Sequence, residues 1–211
     1  FNFIYHYYDF FLWYLGDQSI QIEYAYYKGM YAFTSALIFI IYIHVLFFPK
    51  NKLDIPRIPS YPPLIMLFSL NFGLLIGIYN LYIIQLYKLP EFLNYLRSVE
   101  IGLIFILSSF ILIYLSIQSF KNHREDPNPT TESNTLITSG IFKYIRNPMY
   151  LALTLFQFGI GASLSFIHIC LMSFVTIVLL HFFVVKKEEK YLIDRFGSSY
   201  ITYLSNTRRW L

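Results

Sequence analysis

Two short polar segments hold the residue types that could do chemistry. The first is Arg146-Asn147-Pro148-Met149-Tyr150, preceded by Asn134-Thr135-Leu136-Ile137-Thr138-Ser139-Gly140-Ile141-Phe142-Lys143. Asn147 followed by Pro148 has the form of a helix N-cap with proline at the first helical position. A helix starting there turns free N–H groups and the positive end of its dipole towards the space beside Arg146, which attracts an anion such as a carboxylate. Gly140 permits a tight turn just upstream. The second segment is Glu188-Glu189, within about a turn of the end of a long apolar run. The plain alternative is structural: a well-capped helix with Arg146 as an anchor at the membrane surface, and an ion pair between Arg146 and a Glu worth about 1 kcal/mol or less if exposed.

Other chemistries find little support. His44 and His181 are ionisable groups near the ends of apolar runs, and a lone His there is more often a hydrogen-bonded interface residue than a ligand. No His pair at i and i+4 and no Cys cluster occurs, so a metal site is not expected. There is no Ser-His-Asp set in a recognisable context and no Gly-rich phosphate loop. No Asp or Glu lies inside an apolar run, which argues against a proton relay or ion path.

The elements that must position the two segments follow from composition. Of 211 residues, 56% are apolar, 21% aromatic and only 13% charged. A soluble domain carries about a quarter charged residues, so this chain could not cover its surface in water. Disorder is excluded by the apolar content. A disulfide scaffold is excluded because Cys170 is the single cysteine. The class is an all-α integral membrane protein.

A membrane span takes about 20 apolar residues. Residues 30–48, 61–87, 101–120 and 147–185 lack Asp, Glu, Lys and Arg. The last stretch, at 39 residues, is long enough for two spans. Its middle, Gly159-Ile160-Gly161-Ala162-Ser163-Leu164-Ser165, is small and weakly polar and predicts a tight hairpin turning near residues 163–166. Five transmembrane helices are expected, at about 30–48, 61–87, 100–120, 147–164 and 166–185. Because the two hairpin helices have equal rise, residues 147 and 185 return to one level, and Arg146, Asn147 and Tyr150 can face Glu188 and Glu189. Gly73 and Gly77, four apart, allow close helix packing.

The charges support this count. On one side lie Lys50, Lys52 and Arg57, then Lys121, Arg124, Lys143 and Arg146, then Lys186, Lys187, Lys190, Arg195, Arg208 and Arg209. Only Lys28, Lys88 and Arg97 of the 16 basic residues fall on the other. That bias places the carboxyl terminus and both polar segments in the cytoplasm. Leu192, Phe196 and Tyr200 recur every fourth residue, so the chain beyond Val185 is expected to continue as one amphipathic C-terminal helix. Three regions result: an aromatic-rich interfacial segment at 1–29, a three-span scaffold at 30–120, and a module at 121–211 of loop, hairpin and C-terminal helix. Residues 1–14, crowded with Tyr and Phe, resemble neither a signal peptide nor a clean span.

The two polar segments together resemble the signature of the isoprenylcysteine carboxyl methyltransferase and phospholipid methyltransferase family. That family is similar to an Arg-His-Pro-x-Tyr-x-Gly motif, then a hydrophobic hairpin, then Glu-Glu. Here the chain reads Arg146-Asn147-Pro148-Met149-Tyr150-Leu151-Ala152, the long apolar stretch, then Glu188-Glu189. Leu136-Ile137-Thr138-Ser139-Gly140 resembles the Leu-Val-Thr-Ser-Gly before the motif. Phe196-Gly197-x-x-Tyr200-x-x-Tyr203 resembles the Phe-Gly-Glu-x-Tyr-x-x-Tyr after it. The ending Arg209-Trp210-Leu211, and Asn147 in place of His, resemble a bacterial-type branch. Ala152 stands where the family has Gly. Val184 stands where the isoprenylcysteine enzymes carry an acceptor-associated Arg.

The resemblance implies methyl transfer from S-adenosyl-L-methionine to a lipophilic or lipid-like acceptor in the bilayer, with no nucleic acid involved. It implies a cofactor pocket on Asn134, Thr135, Leu136, Ile137, Gly140, Phe142, Asn147, Pro148, Met149, Tyr150 and Glu188. Arg146, Tyr150 and Glu189 would position the reacting groups. The alternatives are a membrane reductase of related architecture and a non-catalytic membrane relative.

Overall fold

The computed structural model describes residues 8, 12, 22–47, 56, 58–80 and 88–210. Among these the chain is helical, with no β-strand: α1 Ile22–Phe47, α2 Pro62–Ile78, α3 Val99–Asn122, α4 Pro148–Ser163, α5 Ile167–Leu180, α6 Lys186–Phe196 and α7 Ser198–Asn206. Short 3-10 turns occupy Glu91–Leu96 and Gly140–Lys143, and one wide π turn, His181–Val185, joins α5 to α6.

Local sequence explains where the helices start and stop. Pro62 opens α2 at a position where its missing N–H has no partner to lose. Ser98 caps α3, its Oγ accepting from Ile101 N–H at 3.1 Å. The hairpin turns where expected, through Leu164, Ser165 and Phe166, with Ser165 at φ 57°. Phe166 seals the turn, fully buried against Leu74, Ile78 and Ile169.

The helices pack side by side in the spatial order α1, α2, α5, α4, α3. Small residues bring the backbones together. A Cβ on Gly73 would sit 3.0 Å from the Ile169 Cα, so α2 lies almost directly on α5. Gly77 meets the Phe166 ring in the same way. A Cβ on Gly159 would sit 2.7 Å from the Gly102 carbonyl, which fixes α4 against α3.

Three helical stretches are long and apolar enough to cross a membrane: Tyr27–Leu46, Val99–Asn122 and Ile167–Phe196. Their outward faces carry large apolar side chains such as Ile38, Leu107 and Phe174, each about 60% exposed. Such faces suit lipid and not water, and the chain is built as an integral membrane protein. The helices α2, at 17 residues, and α4, at 16, fall where spans are expected but are shorter than about 20 residues.

One expectation needs correction, and two fall partly outside the described residues. Helix α1 runs over Ile22–Phe47, so the described helix extends back into the aromatic-rich segment, and its apolar stretch Tyr27–Leu46 covers most of the first expected span. Most of the remaining aromatic segment lies outside the described residues. The second helix ends as an α-helix at Ile78; residues 81–87, taken as part of its span, also lie outside them. The single amphipathic C-terminal helix is two helices. Gly197, at φ 55° and ψ −128°, breaks it in a conformation that side-chain-bearing residues resist.

Candidate functional site

At the end of the hairpin where α4 begins and α5 ends, a cavity of about 640 Å³ opens. That lies within the range of about 300–1,000 Å³ usual for small-molecule sites. Its walls come from four places. The loop before α4 contributes Glu125, Asp126, Asn128, Thr131, Ser133, Thr135, Leu136, Ile137 and Phe142. The start of α4 contributes Arg146, Asn147, Pro148, Met149, Tyr150 and Leu153; α6 and α7 contribute Glu188, Glu189, Tyr191, Leu192, Tyr200 and Tyr203. Pro56, Tyr61, Pro62 and Pro63, at and before the start of α2, form an apolar side with Ile113.

The structure therefore brings most of the residues singled out from sequence to one cavity. Two stand apart. Asn134 is exposed and off the wall, its backbone N–H donating to Glu125 Oε2 at 3.2 Å. Gly140, also off the wall, turns the chain at φ 62°, and a Cβ there would sit 2.5 Å from Ser119 Oγ. Its place is to let the loop close onto α3. Phe142 follows, its ring edge-on to Phe120 at 5.5 Å.

Asn147 occupies the N-cap position, but its side chain does not cap. Its Nδ2 instead donates to the Arg209 carbonyl at 3.2 Å. The reason is the returning tail: residues 207–210 run alongside, and the Arg146 N–H donates to the Arg208 carbonyl at 2.9 Å. The first α-helical bond of α4 runs from Leu151 N–H to the Asn147 carbonyl at 3.1 Å. The turn that precedes it, Met149-Tyr150, lies on the cavity wall.

The two carboxylates part company. Glu188 accepts a hydrogen bond from the Tyr150 hydroxyl, and among the described residues it pairs with no cation. Glu189 sits between two arginines. Arg146 Nη2 donates to its Oε1 at 3.1 Å, and Arg209 donates through Nε at 2.9 Å and Nη2 at 2.7 Å. Arg146 also donates through Nη1 to the carbonyls of Leu204 and Thr207 at the end of α7. The Arg146 guanidinium is thus largely committed inside the protein, in part through the ion pair with a Glu that the sequence allows. Its hydrogen bond to Glu189 holds Arg209 above the usual arginine range.

Tyr191, Tyr200 and Tyr203 were not singled out as site residues. Tyr200 and Tyr203 carried a signal: a spacing of three puts both on one face of a helix. Burial pushes both phenols above their ordinary range, so they are neutral hydroxyl groups. The Tyr203 hydroxyl donates to the Phe142 carbonyl and ties α7 to the loop. Tyr191 accepts from the Ser133 N–H at 3.1 Å. Pro56 and Tyr61 carried no signal, being more than 60 residues from the polar segments.

Residues 98–199 match the family model for phospholipid methyltransferase. This part of the chain, just under half of it, is similar to the phospholipid methyltransferase family. The family is one of membrane methyltransferases. No curated protein and no solved structure matches the chain significantly. The phospholipid methyltransferase match runs from the cap of α3 into the first turn of α7. It takes in the loop, the hairpin and both carboxylates. Tyr200, Tyr203 and the Arg209 tail lie just beyond it, although the structure folds them onto the same site.

Proposed function

We propose that the protein is an S-adenosylmethionine-dependent membrane methyltransferase acting on a lipophilic acceptor. The observation that carries this reading is Glu188: a carboxylate on the wall of a 640 Å³ cavity, paired with no cation among the described residues, inside the segment matching the family. A carboxylate kept partly from water without a counter-ion favours a cationic ligand. S-adenosylmethionine, when bound, supplies a methyl group on a cationic sulfonium.

The chain's own residues fit such a ligand. Glu188 would hold its amino end or its ribose hydroxyls. The rings of Phe142 and Tyr150, both on the wall, offer a sulfonium a cation–π attraction of about 0.5–2 kcal/mol. Backbone groups of Thr135, Leu136 and Ile137 would take the adenine or ribose. The start of α4, through Asn147, Pro148 and Met149, would face the carboxylate end. Arg146 and Glu189 keep these two helix starts in register. Positioning in a water-poor site supplies much of the catalysis when the acceptor needs little acid–base help.

The apolar side of the cavity, at Pro56, Tyr61, Pro62 and Pro63, suits a lipophilic acceptor. Glu125, Asp126, Glu188 and Glu189 face the cavity against one arginine, Arg146, already paired. Val184, where a carboxylate-binding Arg stands in the isoprenylcysteine enzymes, is fully buried against Ile58 and Leu180. Both features suit an amine or uncharged acceptor better than a carboxylate. The resemblance of Asn147 and of the Arg209-Trp210-Leu211 ending to a bacterial-type branch suggests a bacterial inner membrane, and the charge bias of the loops supports this site facing the cytoplasm.

S-adenosylhomocysteine added to the detergent-purified protein is expected to raise its Tm and to give heat on titration. Neither effect at saturating ligand would overturn the reading. Transfer of radiolabelled methyl into a lipid extract then identifies the acceptor.

A further inference from the structure

The Arg209 tail lies outside the cavity wall, yet it grips the residue next to Glu188. Arg209 holds both oxygens of Glu189, in the two-pronged geometry that a guanidinium provides and an ammonium does not. The tail itself is held at several points. Asn147 Nδ2 and the Arg146 N–H bond its carbonyls, and the Trp210 ring lies 6.4 Å from His181. His181 opens the π turn that leads into α6.

That turn gives the grip a consequence. A π turn carries one residue more than an α turn, and each residue advances a helix by about 100°. If His181–Val185 tightened to α geometry, α6 would rotate by about that angle, and Glu188 would leave the cavity wall. Glu189 is the side chain of α6 fixed from two directions, by Arg146 before α4 and by Arg209 after α7.

We propose that Arg209 is a positioning residue for cofactor binding: by holding Glu189 it sets the rotation of α6 and keeps Glu188 aimed into the cavity. This rests on the methyltransferase reading, with Glu188 as the group that touches the ligand. Arg209 acts only through it.

The test is S-adenosylhomocysteine titration and steady-state kinetics on the full chain. Arg209→Gln is expected to raise Kd and the cofactor KM about tenfold while kcat at saturation stays nearly unchanged. Arg209→Lys should give a smaller loss, and Arg208→Gln, whose side chain is exposed, none. In a Glu188→Gln background, Arg209→Gln should weaken binding no further, whereas a purely structural role would lower Tm and leave that coupling absent. If Arg209→Gln does not fold, Arg209→Lys carries the test, and wild-type affinity in it overturns the proposal. Wild-type protein that binds no S-adenosylhomocysteine removes the methyltransferase reading and this proposal together. A wild type that binds, with Arg209→Gln binding equally well, removes this proposal alone.

Discussion

On the cavity side of α6, Glu188 accepts one hydrogen bond from Tyr150 and faces open space. The next residue, Glu189, also on the cavity wall, is about 10% exposed and shared by Arg146 and Arg209. The residues are adjacent, with the same side chain, yet among the described residues one meets only a tyrosine hydroxyl and the other is spent inside the fold on two arginines. The difference shows how an apolar chain uses its few charges. A buried carboxylate must be matched, and the partner decides its role. Where the partner is protein, the charge locks three chain segments together. Where no cation is present among the described residues, as at Glu188, burial works against the charge.

The sharpest way to break this comparison is Glu189→Ala. It strands Arg146, whose side chain is only 9% exposed, and removing one partner of a buried pair costs about 3–5 kcal/mol. A steep fall in Tm is expected, read by thermal denaturation in detergent; wild-type melting would show that the clamp is not what joins α4, α6 and the tail. Glu188→Ala should do the reverse. Stability should hold, while S-adenosylhomocysteine affinity falls about ten- to a hundredfold, as expected for losing a hydrogen bond to a charged group worth about 1.5–3 kcal/mol. A fall in Tm for Glu188→Ala as steep as that for Glu189→Ala would erase the distinction. The smallest effect is expected at the outer loop, where Arg195 and Glu132 pair at 3.7 Å with side chains 30% and 49% exposed. Arg195→Gln should shift stability by less than about 1 kcal/mol. A large fall in Tm there would mean that the loop shares the clamp's role.

Much of the fold was legible because apolar runs and their breaks are local signals. The hairpin turn was marked by small residues between Gly159 and Ser165, and the close packing of α2 by Gly73 and Gly77. The break at Gly197 was harder to see. Leu192, Phe196 and Tyr200 keep an unbroken helical period across it, so side-chain pattern and backbone geometry disagree, and the backbone prevails. Asn147 misled in a different way. Its type and position are those of a capping residue, but a carbonyl from 62 residues further along competes for its amide.

The sequence alone determined that this chain belongs in a membrane, and that Arg146, Tyr150, Glu188 and Glu189 sit at corresponding ends of a hairpin. Those facts depend on composition and on distances along the chain. Only the tertiary structure decided which carboxylate meets the arginines and which, among the described residues, meets no cation, and that Arg209 takes part at all. Neighbours on a helix differ by about 100° in direction. That direction is set by the π turn before α6 and by the returning tail, neither of which any local pattern of residue types reveals.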